Sequence, residues 1–213
     1  MKIPACFVAV LALLVASSQA VDKAKYLPIT QAIMKFQDNP TESDFRAIES
    51  KMAALPAFNP DDAEDQHTLL ISAAFLIAGH DKHGWAISAK SEIGKAALEI
   101  LSGKGKWGKW FRNEEALNPD KVDVWMMSYL GSQDEAYLSK ILKYAGSPTS
   151  TRNLDEAVLI EEATFSFLLN CRKIHNVREF ARQQLDDPLY ADKKDFLQRC
   201  VIVDTANPPR PTQ

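Results

Sequence analysis

The chain has 213 residues and carries 28 acidic against 25 basic side chains, a formal net charge of −3. That balance argues against general affinity for nucleic acid, which needs a dense basic face. The length suffices for one domain with a real core. Beyond residue 20 no stretch approaches the roughly 20 apolar residues that span a bilayer. The longest apolar run, Leu69–Gly79, suits a buried helix.

The first twenty residues read as a secretory signal peptide. Lys2 gives a positive start, Ala5 to Ala16 is an unbroken apolar run, and Ser18-Gln19-Ala20 sets small residues three and one before a cut after Ala20. Cleavage leaves an expected helical domain over 21–206 and a Pro-rich tail, 207–213, with no means of forming a core. Such a chain is expected in the periplasm or the extracellular space, as a soluble protein.

The dominant period after residue 20 is helical. Ile29, Ile33 and Phe36 mark a first short helix with Pro28 in its first turn. Thr41 predicts an N-cap, with Asp44 three residues on, and Phe45, Ile48, Met52 and Leu55 form one apolar face until Pro56. Asn59 is the expected cap of the next helix, whose first turn holds Asp61, Asp62, Glu64 and Asp65, where the helix dipole favours acids. That helix runs to about Gly79 and is apolar nearly all round, so it is expected at the centre. A tight turn at His80–Gly84 leads into a helix predicted from Trp85 to about Leu101. Gly103, Gly105 and Gly108 open a loop lasting to Pro119. Val122, Trp125, Met126 and Tyr129 resume the helical pattern, and Ser132 with Glu135 predicts a capping box before Leu138, Ile141 and Leu142. Gly146 and Pro148 stop that helix, and Asn153 with Glu156 caps the next, which carries Ala157, Ile160, Thr164, Phe167, Leu168 and Cys171. Val177, Phe180, Ala181 and Leu185 make a shorter helix, and Phe196, Leu197, Cys200 and Val201 the last.

A faint repeat runs through this order. Phe75-Leu76-Ile77 is followed by His83-Gly84-Trp85 as Phe167-Leu168-Leu169 is followed by His175-Asn176-Val177. The stretch Tyr129–Glu135, followed by Leu138 to Ser147, resembles one unit of the HEAT-like helical repeats. The resemblance covers the second half of the chain and implies a curved stack of helical hairpins that binds rather than catalyses. An irregular helical bundle accounts for the same pattern.

Four groups of residues are candidates for chemistry. In Gly103–Arg112, the cations Lys104, Lys106, Lys109 and Arg112 alternate with Trp107, Trp110 and Phe111, and no acid follows until Glu114. Against an acidic background this patch suits an anionic partner, by charge and by stacking rings. The alternative is that the tryptophans tuck into the bundle and pin a long loop. His67, His80 and His83, with Asp81 adjacent, are the nearest thing to a metal set, and Glu64 with His67 has the Glu-x-x-His spacing of carboxylate-bridged di-iron bundles. The second such pair is missing, because Arg172 stands where the glutamate preceding His175 belongs. His80 and His83 lie thirteen and sixteen residues past His67. On a helix that is about 20 Å or more, so capping and surface roles fit them better. Cys171 and Cys200 are expected as a disulfide, since an exported chain meets an oxidising compartment; two buried free thiols are the alternative. Glu161 and Glu162, on an otherwise apolar helix, are either a buried acid pair or a solvated stripe.

The predicted fold is all-α: a single-domain bundle or a short right-handed α-solenoid of about eight helices behind a cleaved signal peptide. The predicted function is an exported binding or scaffold protein with a protein or anionic-polymer partner. No catalytic residue, cofactor or nucleic acid is expected. A metal-dependent enzyme using His67, His80 or His83, and a structural component of the cell envelope, are the other two readings.

Overall fold

The computed structural model describes residues 23–55, 58–59, 61–104, 108, 111, 118–149 and 153–202. Among these the regular structure is all helical, without a strand. The elements are α1 (Lys23–Asp38), α2 (Glu42–Ala53), α3 (Ala63–His83), α4 (Glu92–Leu101), α5 (Asp120–Ser132), α6 (Glu135–Tyr144), α7 (Leu154–Lys173), α8 (His175–Gln183) and α9 (Lys194–Val201). Two short 3₁₀ turns, Gln184–Asp186 and Pro188–Lys193, join α8 to α9. No helix among the described residues is long and apolar enough to cross a membrane.

Helices α3 and α5 form the spine, and their mutual contact is the most extensive between any two helices. Both are apolar nearly all round. In α3 every residue from Leu70 to Gly79 is buried, and in α5 every residue from Lys121 to Ser132. A helix of that kind is stable only when neighbours surround it. The two run in the same direction: His67 meets Asp120 and Asp123 near their starts, and Gly131, near the end of α5, meets Phe75 and Gly79 in the second half of α3. A Cβ on Gly131 would sit 2.2 Å from the Phe75 carbonyl oxygen, so glycine sets how closely the backbones approach.

Around this spine each helix packs on its successor, α1 on α2, α3 on α4, α5 on α6 and α7 on α8. Phe36, Phe45, Phe75 and Trp85 interlock with ring centroids 5.2–5.9 Å apart and join α1, α2 and α3. Phe167 does the same for the C-terminal helices, 6.3 Å from Phe180 and 6.0 Å from Phe196.

Polar ties fix the ends. Gln37 donates from Nε2 to the Leu130 carbonyl at 2.7 Å, and its own carbonyl accepts from Gln133 and Asn176. One residue thereby locks the ends of α1 and α5 to the start of α8. The buried Lys193 donates from Nζ to the carbonyls of Leu142, Lys143 and Ala145 at 2.8–2.9 Å and to Ser147 Oγ. An ammonium thus caps the negative end of α6.

Several boundaries differ from those the sequence predicts. Thr41 and Asn153 cap as expected, their side chains accepting from the N–H groups of Asp44 and Glu156. The cap of α3 is Asp62, not Asn59, which instead accepts from the Asp61 N–H in the turn before it. The cap of α6 is Asp134, while Ser132 back-bonds to the Ser128 carbonyl within α5. Helix α1 starts at Lys23, so Pro28 lies inside it. The predicted turn at His80 is still helix, and α3 ends at Gly84, whose N–H returns to the His80 carbonyl.

The predicted helix from Trp85 is absent until Ser91 caps α4. The intervening backbone is satisfied by side chains of α2 instead. Glu49 accepts from the Ser88 N–H at 2.7 Å, and Arg46 donates to the Ala86 carbonyl. Residues 1–20, expected as a signal peptide, and the tail 207–213 lie outside the described residues.

Candidate functional site

Two polar features lie along the α3–α5 spine. At its N-terminal end, the opening two turns of α3 and the first turn of α5 bring together residues that the sequence keeps more than fifty positions apart. His67 Nε2 lies 3.1 Å from Asp123 Oδ2 and His67 Nδ1 lies 3.4 Å from Asp120 Oδ1. Asp123 is 2% exposed. Burial is the largest single influence on the imidazole and pushes its pKa down, but the two carboxylates outweigh it and hold the value at about 10. His67 is therefore an imidazolium at neutral pH, with both ring nitrogens carrying protons and neither offering a lone pair to a metal.

The third member comes from α7. Glu162 is half-buried, and one of its oxygens, Oε1, is fully buried without a hydrogen-bond partner. Burial first, then the nearby Asp123, pushes its carboxyl up to about 7, against the pull of His67. Its neighbour Glu161 faces solvent. The two acids thus divide between the buried and solvated roles that the sequence leaves open.

His80 and His83 stand at the far end of α3. His80 Nδ1 lies 2.9 Å from the Trp85 carbonyl, and the exposed His83 stacks on the Trp85 ring at 4.1 Å. The structure therefore separates the three histidines of the metal reading. Among the described residues no group of three or more His, Cys, Asp and Glu is arranged to hold a metal ion.

The expected Cys171–Cys200 disulfide is not formed. Both residues are buried free thiols, within hydrogen-bond contact of one another rather than at bonding distance. Cys171 also donates to the Val177 carbonyl at 3.8 Å. The contact with Cys200, followed by burial, pushes the Cys171 thiol far above the usual range. His175, four residues on, is exposed and pairs with Glu179.

The second feature is a cavity of about 300 Å³ where the α3–α4 pair meets the α5–α6 pair. Its buried wall is Ile77 of α3, Ile100 of α4, and Lys121, Val124, Trp125 and Ser128 of α5. Its rim is the exposed Asp81 and the half-buried Leu101, Phe111, Tyr137 and Lys140. The Lys121 ammonium donates to the Phe111 carbonyl at 3.3 Å, and the Lys140 ammonium lies 5.5 Å from the Tyr137 ring centroid. Trp125 stacks on Tyr144 with centroids 6.0 Å apart and planes 7° off parallel, which fixes the indole in the wall.

The basic-aromatic run reaches this cavity through Phe111. Lys104 is exposed at the start of the run. Lys106, Trp107, Lys109, Trp110 and Arg112 lie outside the described residues. Two of its glycines have steric duties beyond flexibility. Gly103 adopts φ +72°, and a Cβ on Gly108 would meet the Gly103 carbonyl carbon at 2.8 Å.

Lys121, Tyr137 and Lys140 of the cavity, and Asp120 and Asp123 of the ion cluster, are absent from the sequence-derived candidates. A signal existed for Asp123 and Lys121: charges at the start of a helix whose remaining residues are apolar. No family model, curated protein or solved structure matches the chain.

Proposed function

We propose that this chain is an exported helical binding protein, and that its contact with an anionic polymer or an acidic protein surface centres on the α4–α5 connection. One observation carries the reading. Phe111, a member of the basic-aromatic run, lines a cavity together with Lys121, Lys140, Trp125 and Tyr137, so cations and rings concentrate on one seam of an otherwise acidic chain. A stack of helical hairpins, which the resemblance of Tyr129–Ser147 to a HEAT-like unit implies, would present an extended binding surface. Export rests on the charged start, apolar run and small-residue cleavage pattern of the first twenty residues.

The test is binding of the chain from Val21 onward to immobilised dextran sulfate and to polyglutamate at rising salt. Affinity is expected to fall with salt, because surface charges are screened over about 8–10 Å. Replacing Lys104, Lys106 and Lys109 together by Gln should weaken binding at least tenfold while leaving the melting temperature unchanged, as expected of lysines whose role is binding rather than packing. If neither polyanion binds, or the triple variant binds as tightly as the parent, this reading is wrong. Intact mass of the protein recovered from its native cells tests export separately, and a mature chain that retains Met1–Ala20 contradicts it.

A further inference from the structure

We infer that the outer face of α7 is a self-association surface, on which a second copy of this chain seats its own α7 in antiparallel orientation. The inference is independent of the polymer contact proposed above, which lies on the α4–α5 connection. Helix α7 buries one side in the bundle, through Leu159, Ala163, Phe167 and Cys171 among others. The opposite side of an ordinary surface helix is polar. Here it carries Leu154, 74% exposed, Phe165, 52% exposed, and the half-buried Val158 and Leu168. Glu161 and Arg172, both exposed, complete the line.

The spacing points to a helix as the occupant. Leu154, Val158, Glu161, Phe165, Leu168 and Arg172 follow one another at four, three, four, three and four positions. On a helix the six fall within about 80° of arc, opposite the buried side. Alternation of four and three is the stripe of a helix that packs lengthwise on another of the same period. A second copy carries that period by identity, and a two-fold axis makes the pairing self-complementary.

Charge fixes the direction. Asp155 stands in the first turn of α7 and Arg172 in the last, and both are exposed. Parallel pairing would set Asp155 against Asp155 and Arg172 against Arg172. Antiparallel pairing sets each Asp155 beside Arg172 of the second copy. It also layers Leu154 on Arg172, Val158 on Leu168 and Glu161 on Phe165, each pair occurring twice about the axis. Glu161 tempers the contact, because its carboxylate stands in the middle of the stripe and loses water there. A polar residue at such a position holds the register at a cost in affinity, so the dimer is reversible. Packing in the bundle already forms α7, so association orders side chains and not a helix.

The experiment is sedimentation equilibrium of the chain from Val21 to Gln213, at about 5 to 500 µM, the range in which a weak dimer is read. The expected result is a monomer–dimer equilibrium. Phe165→Glu should weaken it at least tenfold, and Glu161→Leu should tighten it at least tenfold, both with the far-UV circular dichroism of the parent. Asp155→Arg and Arg172→Asp should each weaken it severalfold, and the two together in one chain should restore it, because each pair across the axis again joins opposite charges. In a parallel dimer neither single reversal changes the pairing of like with like. Glu161→Leu and the charge reversals carry the test if Phe165→Glu does not fold. A chain that is monomeric throughout, its face covered by its own tail or by another protein, overturns the inference. So does a dimer that Phe165→Glu and Glu161→Leu leave unchanged, or one that the double charge reversal does not restore.

Discussion

His67 illustrates how a single side chain can be misjudged from its neighbours in sequence. Beside Glu64 it suggests a metal ligand; in the fold it is a half-buried cation between Asp120 and Asp123. Its effect on stability has a definite sign. A folded-state pKa of about 10 against the ordinary 6.5 means that the folded protein holds this proton more tightly. The resulting stabilisation is complete below pH 6.5 and is lost as pH rises towards 10. Glu162 acts in a lower window. Its carboxyl is raised from 4.5 to about 7, so its contribution to stability falls as pH rises between those values. Urea denaturation from pH 4.5 to pH 10 should separate the two. Glu162→Gln is expected to flatten the limb below pH 7 and to stabilise the protein above it. His67→Gln is expected to destabilise it by about 3–5 kcal/mol at neutral pH, because Asp123 keeps its buried charge and loses its cation. An unaltered pH profile in both variants would contradict this account of the cluster.

At the scale of elements, helix ends are decided by whichever donor or acceptor the fold delivers. Helix α6 ends at Tyr144 without a basic residue of its own reaching back to its last carbonyls; Lys193, some fifty residues later, supplies the cap. Burial pushes the Lys193 ammonium below the usual lysine range, but the carbonyls of Leu142, Lys143 and Ala145 give its protons fixed acceptors. Lys193→Met keeps the length of the side chain and removes the donors. It is expected to lower stability by about 2–4 kcal/mol in chemical denaturation, the scale of leaving buried carbonyls unpaired. A loss below about 0.5 kcal/mol, typical of a neutral surface change, would mean that water replaces the ammonium at this helix end.

For the whole molecule, the position of the two cysteines ties the C-terminal helices together by packing alone. Cys171 of α7 and Cys200 of α9 meet in a fully buried contact that also holds Phe167, Phe180 and Phe196 close by. Both thiols are expected to resist iodoacetamide in the native protein and to take up one label each when the protein is unfolded without reductant. A chain that gains labels only after reduction would carry the disulfide that the structure lacks. The same packing unites the whole molecule, since α1, α5 and α8 converge on Gln37 and α3 touches α4 and α5 along its length.

The sequence by itself determined the helical class and most of the helices, because both rest on local chemistry. The apolar period of 3.6, the side-chain caps at Thr41 and Asn153, and the all-apolar run of α3 act within a few residues of themselves. The sequence by itself misread Trp85–Ser91 as helix because the groups that satisfy that backbone, Arg46 and Glu49, belong to another helix. The His67 cluster and the Lys193 cap were illegible for the same reason: their members lie about fifty residues apart. The cavity likewise takes its lining from α3, α4, α5 and α6 and exists only once these pack. Charge and shape at a site arise where chain segments meet, and only the tertiary structure decides which segments those are.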